Sequence, residues 1–224
     1  MVNTMQTILE EKTRNLSLIV GHLRIEGVEN KKNRNKGMEK TIKELEADVK
    51  QNPNKFLSKP ELLAYQKLAE TKSSIPSTDS AAKILISIIL DQGRLPTISR
   101  VVDCMNVVSV KAGLTISTWD MEKLKGKVRY KMSEGKEKYW PFMGDELELE
   151  KDELAIFDDE KVLGLVRYRD SKYAPVTLDT KNILVHMQGI NGISRESIQA
   201  ALDELEKLIL ENTGGKTVNK LIHE

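Results

Sequence analysis

The sequence predicts an α+β domain, a mainly antiparallel sheet flanked by helices. Three observations carry that expectation: apolar residues recur at helical spacing up to Gly113, alternate with polar ones after Asp120, and return to helical spacing after Ser194. Helices before and after a block of strands, without regular alternation of strand and helix, argue against a parallel α/β sheet.

Taken in order, residues 17–28 (SLIVGHLRIEGV) are β-branched and partly alternating, which marks a first strand. The basic run KKNRNK, residues 31–36, leads into an amphipathic helix with Met38, Ile42, Leu45 and Val49 on one face. NPNKFLSKP reads as a loop, and Ser58 with Glu61 then fits a capping box for a helix through Leu62, Leu63, Tyr65, Gln66 and Ala69. SSIPSTDS, residues 73–80, has the composition of a linker. The helix after it carries Ala81, Ile84, Leu85 and Ile88 on one side and Ile86 and Ile89 on the other, so it is expected to be covered on both, with Gly93 as its stop.

Ile98, Val101, Val102, Met105 and Val108 define a further helix ended by Gly113, and its polar positions Asp103, Asn106 and Ser109 fall on adjacent turns. Alternation then marks strands at Val128, Tyr130 and Met132, at Leu147 and Leu149, and in a hairpin, 154–157 and 162–168, around the acidic turn 158–161. Residues 183–187 are one more strand. The last helix opens at Ser194 with Ile193 and Ile198 as a hydrophobic staple, and Ile198, Ala201, Leu202, Leu205 and Leu208 form its core face. The expected division is residues 1–57 as a strand and helix packed on the main domain, 58–212 as that domain, and 213–224 as a flexible tail, all in one globular unit.

Composition narrows the function classes. With 39% apolar and 31% charged residues in 224, the chain can bury one substantial core. Its longest apolar run, residues 84–90 broken by Ser87, is far short of the roughly 20 needed to cross a bilayer. The first residues lack the apolar stretch of a signal peptide, so a cytoplasmic location without membrane contact is expected. With 35 basic and 34 acidic side chains the net charge is +1, and any RNA contact must come from a local patch. The single cysteine, Cys104, cannot form an internal disulfide and reads as a buried, inert thiol.

No P-loop, HExxH or GxSxG motif appears, and His22, His186 and His223 are scattered, so neither a metal site nor a cofactor is expected. Two features remain. Arg167 and Arg169, two apart on an expected strand, share one face, a pattern that suits phosphate or carboxylate but also an ordinary solvated face. His186, inside ILVHM, is either a half-buried histidine with satisfied bonds or a functional one.

The ordered segments LPTISRVVDCMNVVSVKAGLTISTWDMEKLKGKVRYK and DELAIFDDEKVLGLVRYRDSKYAPVTLDTKNILV resemble the B3/B4 domain of the phenylalanyl-tRNA synthetase beta subunit. More closely, the whole chain resembles free-standing B3/B4-domain proteins. The resemblance rests on Val102, Asp103 and Asn106, the segment from Gly113 to Asp120, Gly126 to Val128, Asp158, and Val176, Thr180, Lys181 and Asn182. It implies an editing module that accepts a tRNA acceptor end and hydrolyses a wrongly attached amino acid with a positioned water. It also implies departures, because the family has histidine at Ser117, glutamate at His186 and a glycine-rich run where this chain has LVRYRDS.

The resulting expectation is a tRNA-interacting module, with Asn106, Ser117 and His186 orienting substrate and water, and Arg167, Arg169, Ser109 and Thr180 binding substrate or RNA. Two alternatives stand beside it: a non-catalytic domain that binds RNA or a small molecule, and an interaction scaffold using the Met38 to Val49 helix.

Overall fold

A computed structural model describes residues 6–71, 74–75 and 79–224. Residues 73 and 76–78 of the expected linker lie outside the described residues. The elements in order are β1 (Thr7–Leu9), β2 (Ile19–Glu26), α1 (Lys36–Gln51), α2 (Pro53–Leu57), α3 (Pro60–Thr71), α4 (Ala81–Gln92), α5 (Arg100–Ala112), β3 (Ile116–Asp120), β4 (Val128–Met132), β5 (Lys138–Tyr139), β6 (Leu147–Glu148), β7 (Leu154–Phe157), β8 (Val162–Leu165), β9 (Asn182–Gly189), α6 (Arg195–Thr213) and β10 (Lys216–His223). The fold class is therefore α+β, as the change of hydrophobic period predicts.

One sheet has the order β10-β2-β9-β3 and is antiparallel throughout. A second has the order β1-β4-β7-β8, antiparallel except for the parallel pair β1 and β4. Alternation along each strand gives the first sheet two unlike faces. One face carries Leu23, Val185 and Met187, all buried, and α6 packs on it. Gly21 permits that contact: a Cβ there would stand 2.8 Å from the Ile198 side chain. The other face carries the cross-strand row His22, His186 and Ser117 and meets the second sheet through Thr7 and Tyr130.

Helix ends follow the sequence signals in most places. Asn35, Ser80 and Ser194 cap α1, α4 and α6 with their side chains, and Gly93 and Gly113 end α4 and α5 in the left-handed conformation. The capping box at Ser58 does not form. Its hydroxyl donates to the Asn54 carbonyl and closes α2, a short helix where a loop is expected; Pro53 in its first turn and Phe56 against the core explain that helix. The expected flexible tail is also corrected: residues 216–223 pair with β2 from Glu26 to Val20 as an edge strand. Among the described residues no helix is long and apolar enough to cross a membrane.

Candidate ligand-binding cleft

The sequence expects α4 to be covered on both sides, and the structure covers one fully and the other in part. Ala82, Ile86 and Ile89 are buried in the core, whereas Ala81, Ile84, Leu85 and Ile88 form the wall of an open cleft of about 290 Å³. Val102, Met105 and Asn106 of α5, Ile116 and Thr118 of β3, the 142–143 loop and residues from 168 to 176 complete it. The part of this wall left exposed costs hydration free energy at roughly 25 cal/mol per Å², so an apolar ligand that covers it is favoured.

The lining also carries polar groups. The segment after β8 turns at Val166 and runs along the free edge of β3, where Asp120 donates its amide to the Ala174 carbonyl at 3.1 Å. This brings Asp170 to the cleft. Its Oδ2 accepts the Thr118 amide at 3.0 Å, and the Ser117 hydroxyl donates to the same carboxyl group. Burial pushes its pKa up to about 7, against the pull of those two bonds. Thr118 is buried, and its hydroxyl has no hydrogen-bond partner among the described residues. Asn106 and Arg169 also line the space, the Arg169 guanidinium donating to the Met143 carbonyl at 2.9 Å and lying 5.2 Å from the Tyr168 ring centroid.

Ser117 lies behind the cleft and begins a polar seam between the two sheets. Gln188 donates to the Ser117 hydroxyl at 3.0 Å and to the Tyr130 hydroxyl at 3.3 Å; that hydroxyl is 3.0 Å from His186 Nδ1, and His186 Nε2 is 3.1 Å from His22 Nδ1. Thr7 reaches both rings at 3.1 Å. Burial, aided by His223 and Arg24, lowers the His22 pKa to about 4; burial, aided by His22 and His223, lowers that of His186 well below its ordinary value. Both rings are neutral at neutral pH, so the seam holds hydrogen bonds rather than charge.

Of the residues singled out by sequence, the structure brings Asn106 and Arg169 to the cleft. His186 is fully buried in the seam. The expectation that Arg167 and Arg169 share a strand face is corrected, because the strand ends at Leu165; Arg167 turns inward and donates to the Ile75 carbonyl at 3.4 Å, with Glu153 nearby. Ser109 donates to the Leu114 carbonyl at 2.6 Å and closes α5, and Thr180 donates to Asp120 at 2.8 Å. Asp103 accepts from Arg34 at 2.6 Å and from the Ile98 amide at 3.0 Å, which fastens residues 96–98 to the rim. Cys104 is buried and its thiol is pushed up to about 12, which leaves it un-ionised and unreactive. Among the described residues no group of three or more His, Cys, Asp or Glu side chains could hold a metal ion. Sequence reasoning missed Asp170, which belongs to no motif and stands next to Arg169 in RDS.

Fold and motif order together define a B3/4 domain: the B3/4 domain family model matches residues 68–214, and the chain belongs to that family. Its relatives include the phenylalanine--tRNA ligase beta subunit of Shewanella oneidensis, 30% identical over 96 residues that make up 43% of this chain and 12% of that subunit. The same subunit of Aquifex aeolicus is 28% identical over 145 residues, 54% of this chain and 19% of the subunit. The matches thus span under a fifth of those subunits. A crystal structure of an N-terminal fragment of the phenylalanyl-tRNA synthetase beta subunit from Pyrococcus horikoshii shares the fold, with TM-score 0.53 and 15% identity over 99% of this chain and 55% of the fragment.

Proposed function

We propose that this chain is a tRNA-interacting B3/4 module whose cleft takes the aminoacyl end of a charged tRNA, or a smaller aminoacyl ester, and hydrolyses it. The observation that supports this reading is an apolar cleft ending on Asp170, a carboxyl group whose pKa of about 7 suits proton transfer near neutral pH. The family relationship to a tRNA ligase subunit supplies the substrate class.

In this reading the α4 wall receives an apolar amino-acid side chain and excludes water around it. Asn106 and the free hydroxyl of Thr118 hydrogen-bond the ester and its amino group, and ionised Asp170 takes a proton from water as the water oxygen attacks the ester carbon. The bond from that carbon to the ribose oxygen then breaks, and Asp170 returns the proton to the leaving hydroxyl. Ser117 holds Asp170 from behind, and the seam through Gln188, Tyr130 and His186 holds Ser117. No side-chain nucleophile is needed. The module would act in the cytoplasm, where charged tRNA is used.

A second reading is a binding domain without chemistry, favoured by a lining that holds one carboxylate and, among the described residues, no second acid or histidine beside it. The deciding experiment incubates the protein with mischarged tRNAs and with aminoacyl esters of small alcohols. Release of amino acid above the buffer rate, lost on Asp170→Asn, supports the hydrolase; binding without release supports the second reading.

A further inference from the structure

Beside the cleft mouth the chain builds an aromatic and cationic surface that the chemistry above does not use. Residues 140–144 and 168–173 run side by side, tied by the Phe142 amide to the Asp170 carbonyl at 2.8 Å and the Lys172 amide to the Trp140 carbonyl at 2.9 Å. Trp140 and Phe142 are exposed at 40% and 48%, and Met143 beside them at 76%. Each ring on this surface except that of Phe142 has a cation against it: Lys172 Nζ lies 4.6 Å from the Trp140 centroid, Lys161 Nζ 4.7 Å from that of Tyr173, and Arg169 over Tyr168. None of these three cations has a carboxylate partner among the described residues. Of the acids close by, Glu146 is held by Lys138 at 3.0 Å, and Asp145 is exposed.

Exposed rings in one patch mark a contact surface, and cations among them that meet carbonyls but no carboxylate among the described residues fix the sign of its partner. Flat faces for stacking, interleaved with positive charge for a backbone, match single-stranded nucleic acid, whose bases are free; a duplex hides its base faces. Phe142 and Arg169 belong to this patch and to the cleft lining alike, so a strand lying on it ends at the cleft. We infer that this surface stacks the unpaired nucleotides at the 3′ end of an RNA and leads that end to Asp170. The inference rests on the reading of the cleft as an aminoacyl-ester site, and names how the RNA part of the ester is held.

The test measures, by fluorescence anisotropy, binding of a 5′-labelled six-nucleotide RNA and of a blunt RNA hairpin to the full chain, with Trp140→Ala, Phe142→Ala and Lys172→Gln alongside. Thermal unfolding confirms that the exposed substitutions leave the fold intact. The single strand is expected to bind better than the hairpin, and each aromatic substitution to weaken it at least roughly 5-fold. Lys172→Gln should flatten the log-log salt slope by about 0.7. Equal binding of strand and hairpin, or unchanged affinity in both aromatic variants, overturns the surface. Hydrolysis of a small aminoacyl ester separates the two ideas. Trp140→Ala that loses RNA but keeps ester hydrolysis supports the platform, and RNA binding with no hydrolysis by the wild type keeps the platform and overturns the catalytic reading.

Discussion

The amide of Thr118 lies 3.0 Å from Oδ2 of Asp170, and this bond fastens the one acid of the cleft to the free edge of β3. Edge strands need cover, and here the covering segment brings the Asp170 carboxyl group with it. Asparagine retains the acceptor for the Thr118 amide but cannot take a proton. Asp170→Asn should therefore lower kcat/KM for aminoacyl-ester hydrolysis about 10²- to 10⁴-fold. Wild-type rates should climb as the carboxyl ionises around pH 7 and then level off, whereas the variant's residual rate should lack that step. A rate profile with the same inflection in both proteins removes Asp170 from the chemistry.

Stability should show the same group with opposite sign to the histidines. The folded pKa of Asp170, about 7, is above its ordinary 3.8, so the folded state binds more protons between those values and loses stability as pH rises through them. His22 and His186 have folded pKa values below 6.5, so the unfolded state binds more protons beneath that pH and acidification toward 4 destabilises the fold. The two trends oppose each other, each group contributing at most about 1.4 kcal/mol per pH unit. Urea unfolding at pH 5 and pH 8 should show a steeper loss on acidification in Asp170→Asn than in wild type, and a variant more stable than wild type at pH 8. Parallel curves would refute the assignment.

Thr118→Val separates binding from folding. Because that hydroxyl has no partner among the described residues, its loss should leave the unfolding midpoint unchanged or slightly higher. A ligand that uses the hydroxyl should lose about 1 kcal/mol of affinity, roughly 5-fold. Calorimetric titration with a non-hydrolysable aminoacyl amide reads the second effect and a thermal melt the first. A fall in the melt with unchanged affinity would reverse the roles.

Asp103→Ala should lower stability and affinity together. It strips the partner from Arg34, whose side chain is 13% exposed against a fully buried carboxylate, and leaves the Ile98 amide without its acceptor. Breaking such a pair costs about 3–5 kcal/mol, to be read as a lower urea midpoint. Since Pro96 and Ile98 line the cleft, ligand affinity should fall as well.

The sheets and long helices were legible because burial imposes their periods on the sequence. The cleft was not, for a physical reason visible in α4: a wall waiting for an apolar ligand and a wall packed on a core carry the same residues, so Ile84 and Ile88 look like Ile86 and Ile89. Arg167 and Arg169 were misplaced because spacing says nothing of where β8 stops. The β10 strand pairs on one side only and has no buried residue, so KTVNKLIH lacks the alternation of a half-buried strand. Family motifs located structural joints such as Asp120 with Thr180, while Asp170 lies in the segment where the chain departs from the family pattern.

The division of α4 into two flanks has an evolutionary reading. A lineage could exchange the residues at 84, 85 and 88 to reshape what the module accepts while 82, 86 and 89 keep the scaffold standing, so drift in specificity need not pass through unfolded intermediates. One helix is thereby both foundation and interchangeable die.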